Sequence, residues 1–175
     1  MRSILFLLFV LIGVTLISDN ASAELTVGDD APAWKLVGSD GKTYSSNDLK
    51  GKSAYVIAWF PRAFTGGCTK ECKSLRENGE AIRKFDVAYF TASTDPEEKN
   101  RDFAKSLELD YPILSDPGKK VADAFGCLNA RGSASRWTFY VGKDGKVLHV
   151  DKKVKAAAHG SDIADKLESL GIDHK

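Results

Sequence analysis

Apolar and polar residues follow two patterns along the chain, one typical of buried strands and the other of amphipathic helices. The runs at 54–60 and 87–92 are almost wholly apolar, which is typical of strands covered on both faces. Shorter apolar runs predict strands at 111–114, 137–141 and 147–150. The segment 34–44 predicts a hairpin about Asp40-Gly41, and a second turn at Asp144-Gly145 joins the last two strands.

The helical pattern is clearest between residues 68 and 85. Its apolar positions recur at helical spacing and form one inward stripe of Cys68, Cys72, Leu75, Ile82 and Phe85. Other helical segments are expected at 45–49, 119–125 and 161–170. One more begins near Asp95, the expected cap, with Pro96 first and Glu98 closing a capping box.

The order of these elements predicts the fold class. Strands that alternate with helices imply crossover connections and a parallel core, while the closing hairpin adds antiparallel strands. We therefore expect an α/β protein with a central mixed, mostly parallel sheet, helices on both faces and an N-terminal hairpin, as in the thioredoxin fold. The segment after residue 60 follows a central strand, where open α/β sheets place their sites.

The first 23 residues have the pattern of a secretory signal peptide. Arg2 gives a positive start, an apolar run follows at 4–17, and Ala21-Ser22-Ala23 is a small-x-small cleavage site. An uncleaved anchor is the alternative, although the run is short for a membrane span. We expect residues 24–175 to form one domain that is exported, periplasmic or secreted, with no membrane attachment after cleavage.

Charge and cysteine content narrow the function. The net charge is +1, so the balance of acidic and basic residues gives no indication of a nucleic-acid partner. The 3 cysteines are too few for a disulfide scaffold and odd in number. In an exported chain each thiol is paired, buried or kept reactive by a reductant.

Cys68 and Cys72 lie four residues apart behind a Gly-Gly pair, and three explanations compete for them. A zinc site needs three or four protein ligands, for which only Cys127 and three histidines remain. A copper-delivery protein of this fold carries a histidine in the loop before the late hairpin, and here the loop 129–135 has none. A static bridge fits poorly, because helical neighbours at this spacing hold their Cβ atoms ~5–6 Å apart and a disulfide needs ~3.5–4.5 Å.

A reactive thiol fits the surroundings best. Thr65 can cap the helix, which makes Gly66 and Gly67 its first residues and sets Cys68 in the first turn. The helix dipole and the free N–H groups there favour a thiolate. The Thr65 hydroxyl lies within reach of the same sulfur.

These residues resemble the peroxiredoxin family. Pro61-x-x-x-Thr65-x-x-Cys68 matches the family's P-x-x-x-T-x-x-C signature, and the segment 27–34 is similar to its usual opening. Arg136-Trp-Thr-Phe139 is similar to its late R-x-T-F strand. The similarity covers nearly all of residues 24–152 and is greatest to the bacterioferritin-comigratory, or Q-type, branch.

The resemblance implies a thiol peroxidase that needs no metal or organic cofactor. Cys68 would attack a hydroperoxide, Thr65 would orient it, and Arg136 would stabilise the thiolate and the leaving oxygen. Pro61 would shield the sulfur, and Glu71 matches a glutamate that orients the arginine in this branch.

The resolving step departs from the family pattern. The Q-type resolving cysteine lies five positions after the reactive one, where this chain has Lys73. Cys72 is the expected resolving thiol and Cys127 is the rival. A thioredoxin-like or other thiol reductant would recycle the disulfide, in a monomer or a homodimer. The alternative enzyme is a thiol–disulfide oxidoreductase, which is expected to have a C-x-x-C motif and a cis-proline. This chain has C-x-x-x-C instead, and Arg-Trp-Thr at the place of the proline.

The remaining candidates are the aromatic residues near the motif and one histidine late in the sequence. Trp59, Phe60, Phe64 and Trp137 are candidates for the core or for an apolar wall that receives alkyl hydroperoxides. His159 is expected only to help begin the last helix.

Overall fold

The computed structural model describes residues 24–175, so the expected signal peptide at 1–23 lies outside the described residues. Seven strands and six helices are found within this range. In chain order they are β1 Lys35–Gly38, β2 Thr43–Ser45, α1 Ser46–Leu49, β3 Ala54–Trp59, α2 Gly66–Glu77, α3 Gly79–Arg83, β4 Val87–Ser93, α4 Glu97–Ser106, β5 Ile113–Ser115, α5 Lys120–Ala124, β6 Thr138–Val141, β7 Val147–Asp151 and α6 His159–Ser169.

The strands form one sheet in the order β2-β1-β5-β4-β3-β6-β7. Only the pairs β3–β4 and β4–β5 are parallel, and the other four pairs are antiparallel. The expectation of a mostly parallel sheet is therefore wrong, although the mixed sheet and the N-terminal hairpin are confirmed. The reason is that each hairpin adds two antiparallel pairs, one within itself and one where it joins the parallel centre.

Strand β3 is the middle of the core, and all six of its residues are buried. Successive side chains point to opposite faces of the sheet. Tyr55, Ile57 and Trp59 pack into one apolar cluster, and Ala54, Val56 and Ala58 pack into another beneath the helices α2 and α6. Both faces are covered, as the continuous apolar run predicts.

The predicted helix 68–85 is two helices. α2 ends at Asn78, whose φ of −103° and ψ of 10° leave the helical region, and α3 follows at once. The Asn78 side chain turns back to donate to the Ser74 carbonyl at 2.9 Å, which satisfies a group at the helix end. The inward stripe is confirmed, because all five of its residues are buried.

The start of α4 also differs from the prediction. Pro96 occupies the cap position and Glu97 is the first helical residue. The Asp95 carboxylate instead accepts a hydrogen bond from the Ala63 N–H at 2.7 Å and pairs with Lys99. Asp95 therefore ties the end of β4 to the loop after β3.

Residues 24–175 contain neither a membrane-spanning helix nor a cluster of metal-ligating side chains. No helix in this range is long and apolar enough to cross a bilayer. Within the same range, no three or more His, Cys, Asp or Glu side chains cluster so that they could hold a metal ion.

Candidate active site

Cys68 lies in the first turn of α2, at the third helical position that the sequence predicts. The loop 60–65 brings the chain from the end of β3 to this turn, and the Cys68 side chain is only 1% exposed. Thr65 has the extended backbone of a cap residue but makes no side-chain cap, since its hydroxyl donates to the Arg62 carbonyl at 3.0 Å. The first-turn N–H groups of α2 are thus left without a side-chain cap.

Phe64 is the unusual residue of this loop. Its φ is +65°, a left-handed conformation that a bulky residue rarely adopts. Its ring is 55% exposed and packs on Phe103 with the ring centroids 4.9 Å apart. Asp95 anchors the neighbouring Ala63, and the ring's partner Phe103 belongs to the same apolar cluster as Cys68.

The sheet brings Arg136 to the thiol. Arg136 lies just before β6, which pairs with β3, and the Trp59 N–H donates to the Trp137 carbonyl at 2.8 Å. The Arg136 Nη2 atom donates to the Cys68 Sγ at 3.3 Å. A Cβ at Gly67 would lie 3.2 Å from the same nitrogen, so the glycine leaves room for the guanidinium.

Glu71 holds the other side of the guanidinium. It lies on α2 one turn after Cys68 and is fully buried. Its Oε2 forms an ion pair with Arg136 Nη1. The fork of the guanidinium therefore spans the carboxylate and the sulfur at once, which a lysine could not do.

His159 completes the buried network, although the sequence predicts no chemical role for it. It is the first residue of α6 and is 1% exposed. Its Nδ1 lies 2.9 Å from Glu71 Oε1, and its Nε2 lies 2.8 Å from the Thr138 hydroxyl. Burial, the largest cause, lowers the pKa of His159 to about 4, so the ring is neutral near pH 7.

In the sequence, His159 is marked only by its position at a helix start before Gly160, and this position does not indicate the contact with Glu71. A Cβ at Gly160 would lie 2.1 Å from the Ser74 carbonyl oxygen, so α6 begins directly against α2. The sequence pattern does not indicate which helix would receive this end.

Cys72 is a free thiol one turn beyond Cys68 and is fully buried. Burial raises the pKa of its thiol to about 12. Both cysteines belong to the same apolar cluster, which includes Phe60 and Phe103. The structure therefore brings the two motif cysteines together as unbonded neighbours.

Cys127 lies elsewhere. It is fully buried in the cluster that contains Trp59 and Phe125, on the opposite face of the sheet from α2. Burial raises the pKa of its thiol. Trp137 packs against this same cluster. The four aromatic residues that were candidates for an apolar wall therefore lie in two places, since Trp59 and Trp137 are with Cys127. Phe60 and Phe64 lie on the side of Cys68.

The arrangement suits nucleophilic chemistry at sulfur. A thiol at a helix N-terminus beside a guanidinium is stabilised as the thiolate by both groups. The same guanidinium can stabilise negative charge that develops next to the sulfur. Thr65 is exposed and Pro61 is half-buried, and both lie in the loop that leads to Cys68.

Known proteins are similar to this chain in sequence and in fold. Residues 27–150 match the model of the AhpC/TSA family. The chain is 32% identical to peroxiredoxin Bcp of Escherichia coli (strain K12) over 142 residues, which cover 77% of this chain and 90% of the relative. It is 30% identical to peroxiredoxin Bcp of Bacillus subtilis (strain 168) over 154 residues, covering 83% and 95%.

A solved structure gives the same result. The peroxidoxin BcpB of Mycobacterium tuberculosis aligns with a TM-score of 0.76 at 29% identity, covering 83% of this chain and 98% of that one. The chain therefore belongs to the AhpC/TSA family and is a peroxiredoxin of the Bcp type.

Proposed function

We infer that this protein is a thiol peroxidase that reduces hydroperoxides, and we propose that Cys68 is its reacting thiol. The observation that carries the assignment is the Arg136 guanidinium 3.3 Å from the Cys68 sulfur in the first turn of α2. The named relatives are peroxiredoxins, which agrees with this chemistry.

In the first step the Cys68 thiolate attacks the distal oxygen of the hydroperoxide. An S–O bond forms as the O–O bond breaks, and the leaving oxygen takes up a proton to become water or an alcohol. Arg136 stabilises the thiolate before the attack and the charge on the leaving oxygen during it. The Thr65 hydroxyl orients the peroxide, and Pro61 limits access of water to the sulfur.

In the second step the Cys72 thiol attacks the sulfur of the Cys68 sulfenic acid, and a disulfide forms with release of water. Side chains four apart on an intact helix are too distant for this bond. The first turns of α2 must therefore unwind, which also takes Cys72 out of the environment that disfavours its thiolate.

A dithiol reductant of thioredoxin-like type, or another thiol, restores the two cysteines by disulfide exchange. The protein works as a monomer or a homodimer. Hydrogen peroxide and organic hydroperoxides are both substrates. The exposed ring of Phe64 supports the second class, since it offers an apolar contact beside the reacting sulfur.

Export is part of the proposal. Arg2, the apolar run at 4–17 and Ala21-Ser22-Ala23 support a signal peptide removed after residue 23. N-terminal sequencing of the protein from the soluble exported fraction should then begin at Glu24. A chain that keeps its first residues and sediments with membranes would overturn export without affecting the peroxidase chemistry.

Stopped-flow tryptophan fluorescence of the reduced protein mixed with hydrogen peroxide tests the function, followed by intact mass. We expect a fast change whose rate increases with peroxide, and a product lighter by two hydrogens. The Cys68→Ser variant should give neither signal. If Cys68 of the wild type stays a free thiol after a stoichiometric dose, the peroxidase assignment fails.

A further inference from the structure

We propose that His159 is a positioning residue for the peroxidase reaction: by holding one oxygen of Glu71, it keeps the Arg136 guanidinium on the Cys68 sulfur. The proposal rests on the function proposed above for Cys68. It goes further because it gives a role in the reaction to His159, a buried residue late in the sequence.

Two buried polar atoms carry the argument. The side chains of His159 and Glu71 are 1% and 0% exposed, and Nδ1 of the first lies 2.9 Å from Oε1 of the second. Neither atom has a well-aligned hydrogen-bond partner within the described residues. Since buried polar groups are costly unless matched, the contact between them is the interaction that each has available.

The charges around the ring fix its tautomer. An unprotonated Nδ1 would set a lone pair against a carboxylate oxygen 2.9 Å away, so Nδ1 carries the proton. Nε2 then accepts from the Thr138 hydroxyl at 2.8 Å. The neutral ring therefore has a fixed orientation. Thr138 of β6 contacts one side of it, and Glu71 of α2 contacts the other.

The neutral state agrees with the surroundings of the ring. Burial and the Arg136 guanidinium lower the pKa of His159, while Asp151 and Asp162 raise it, and burial dominates. Glu71 also faces the ring from α2, and its charge is already paired with Arg136. His159 therefore sets the N–H side of a neutral ring against the Glu71 carboxylate without adding a charge.

The position of the carboxylate matters because arginine and a carboxylate prefer to pair through two parallel hydrogen bonds. Such a pairing would use both Nη atoms and withdraw Nη2 from the sulfur. With Oε1 held by His159, only Oε2 is left for Arg136, through Nη1. Nη2 is then free to donate to Cys68.

The backbone keeps the ring in place. The Gly160 N–H donates to the Ser74 hydroxyl at 3.0 Å, and the absence of a side chain at Gly160 lets α6 begin against α2. The start of α6 cannot shift along α2 without breaking this contact. His159 is therefore presented to Glu71 by a fixed helix end.

Two substitutions separate positioning from general packing. The amide nitrogen of asparagine reaches roughly where Nδ1 lies, and that of glutamine reaches roughly where Nε2 lies. His159→Asn thus keeps a donor for Glu71, whereas His159→Gln keeps only the contact with Thr138. His149→Asn, on β7 beside Tyr140, is the matched control outside the site.

Three quantities are measured on each full-length reduced variant: the rate constant with hydrogen peroxide, the pH midpoint of Cys68 alkylation by iodoacetamide, and the free energy of unfolding in urea. Peptide mass mapping assigns the alkylated cysteine. We expect His159→Gln to lower the peroxide rate constant about tenfold or more and to move the alkylation midpoint to higher pH. His159→Asn should recover most of the rate, and His149→Asn should match the wild type.

The outcomes distinguish the two proposals. If the Asn and Gln variants lose rate equally, or lose stability with an unchanged alkylation midpoint, His159 only packs and the positioning role is overturned. If the wild type reacts with iodoacetamide but not with peroxide, the peroxidase function fails, while the alkylation midpoints still report whether His159 positions the guanidinium.

Discussion

The hydroxyl of Tyr111 donates a hydrogen bond to the backbone carbonyl of Cys72 at 2.9 Å, from just before β5 to the middle of α2. Both residues are buried, and burial raises the pKa of the Tyr111 hydroxyl well above its usual value. The bond ties the peptide group of Cys72, the thiol proposed to resolve the sulfenic acid, to the sheet. It therefore stabilises the wound form of α2 against the unwinding that disulfide formation requires.

We expect Tyr111→Phe to accelerate disulfide formation. A buried hydrogen bond of this kind contributes about 1 kcal/mol, so its loss should raise the rate of the resolving step roughly fivefold and lower the free energy of unfolding by a similar amount. Rapid-quench mass spectrometry after a stoichiometric dose of peroxide separates sulfenic acid formation from disulfide formation.

Tyr89→Phe is the control for this substitution. Tyr89 packs on Tyr111 with the ring centroids 5.3 Å apart, but its hydroxyl contacts Arg83 and not α2. It should leave the resolving step unchanged. An unchanged or slower resolving step in Tyr111→Phe would mean that this bond does not restrain α2.

The two apolar clusters support the proposal that Cys72 is the resolving thiol. Cys72 shares a cluster with Cys68, and Cys127 lies on the other face of the sheet. We expect Cys127→Ser to form the internal disulfide as the wild type does. Cys72→Ser should stop at the sulfenic acid, trapped by dimedone and seen by intact mass. A disulfide that persists in Cys72→Ser would assign the role to Cys127.

The sequence predicts the central strands well because β3 and β4 are covered on both faces. Strands of this kind appear in the sequence as a continuous run of apolar residues. The direction of the outer strands is different. Whether β1 pairs with β5 antiparallel is decided by how a hairpin docks on the sheet. No local pattern of apolar residues carries that information, so the sheet was expected to be more parallel than it is.

The candidate site also has some residues that the local sequence pattern predicts and others that it does not. Thr65, Cys68 and Glu71 lie within one short segment, where helical spacing predicts their neighbourhood. The pairing of Arg136 with Cys68 came only from the resemblance to a family. The contact of His159 with Glu71 joins two helices that are distant in sequence, and a single histidine before a glycine gives no indication of it.

Arg136→Lys tests the fork of the guanidinium. A single ammonium group cannot reach the carboxylate of Glu71 and the sulfur of Cys68 together, so the charge is kept but one contact is lost. We expect the rate constant with hydrogen peroxide to fall about a hundredfold, as when one donor to a developing charge is removed. Stopped-flow fluorescence measures this rate.

Arg131→Lys, at an exposed position in the loop before β6, is the control for the same substitution. It should react at the wild-type rate. A wild-type rate in Arg136→Lys would show that positive charge alone suffices and that the fork is unnecessary.

Phe64→Ala tests the apolar contact for organic substrates. The ring is 55% exposed and packs on Phe103, which shares a cluster with Cys68, so its removal should raise KM for cumene hydroperoxide severalfold and leave the rate with hydrogen peroxide nearly unchanged. Alanine also disfavours the positive φ, so any loosening of the loop would affect both substrates alike. Val27→Ala, at an exposed position before β1, is the control. Equal losses on both substrates would contradict a role in specificity.

The buried ring of His159 should make the fold sensitive to acid. Its pKa falls from 6.5 to about 4 on folding, so the unfolded chain binds a proton in this interval and the folded chain does not. Stability from this residue is therefore complete above about pH 6.5 and declines as the pH falls towards 4. The decline is on the order of 3 kcal/mol, because each tenfold difference in proton affinity is worth ~1.36 kcal/mol.

Urea denaturation between pH 7.5 and pH 4.5 measures this decline. His159→Asn cannot take up the proton, so its unfolding free energy should decrease less steeply with acid than that of the wild type, and the two curves should converge at low pH. If His159→Asn and the wild type keep a constant difference across the range, the neutral buried ring is not the group that titrates on unfolding.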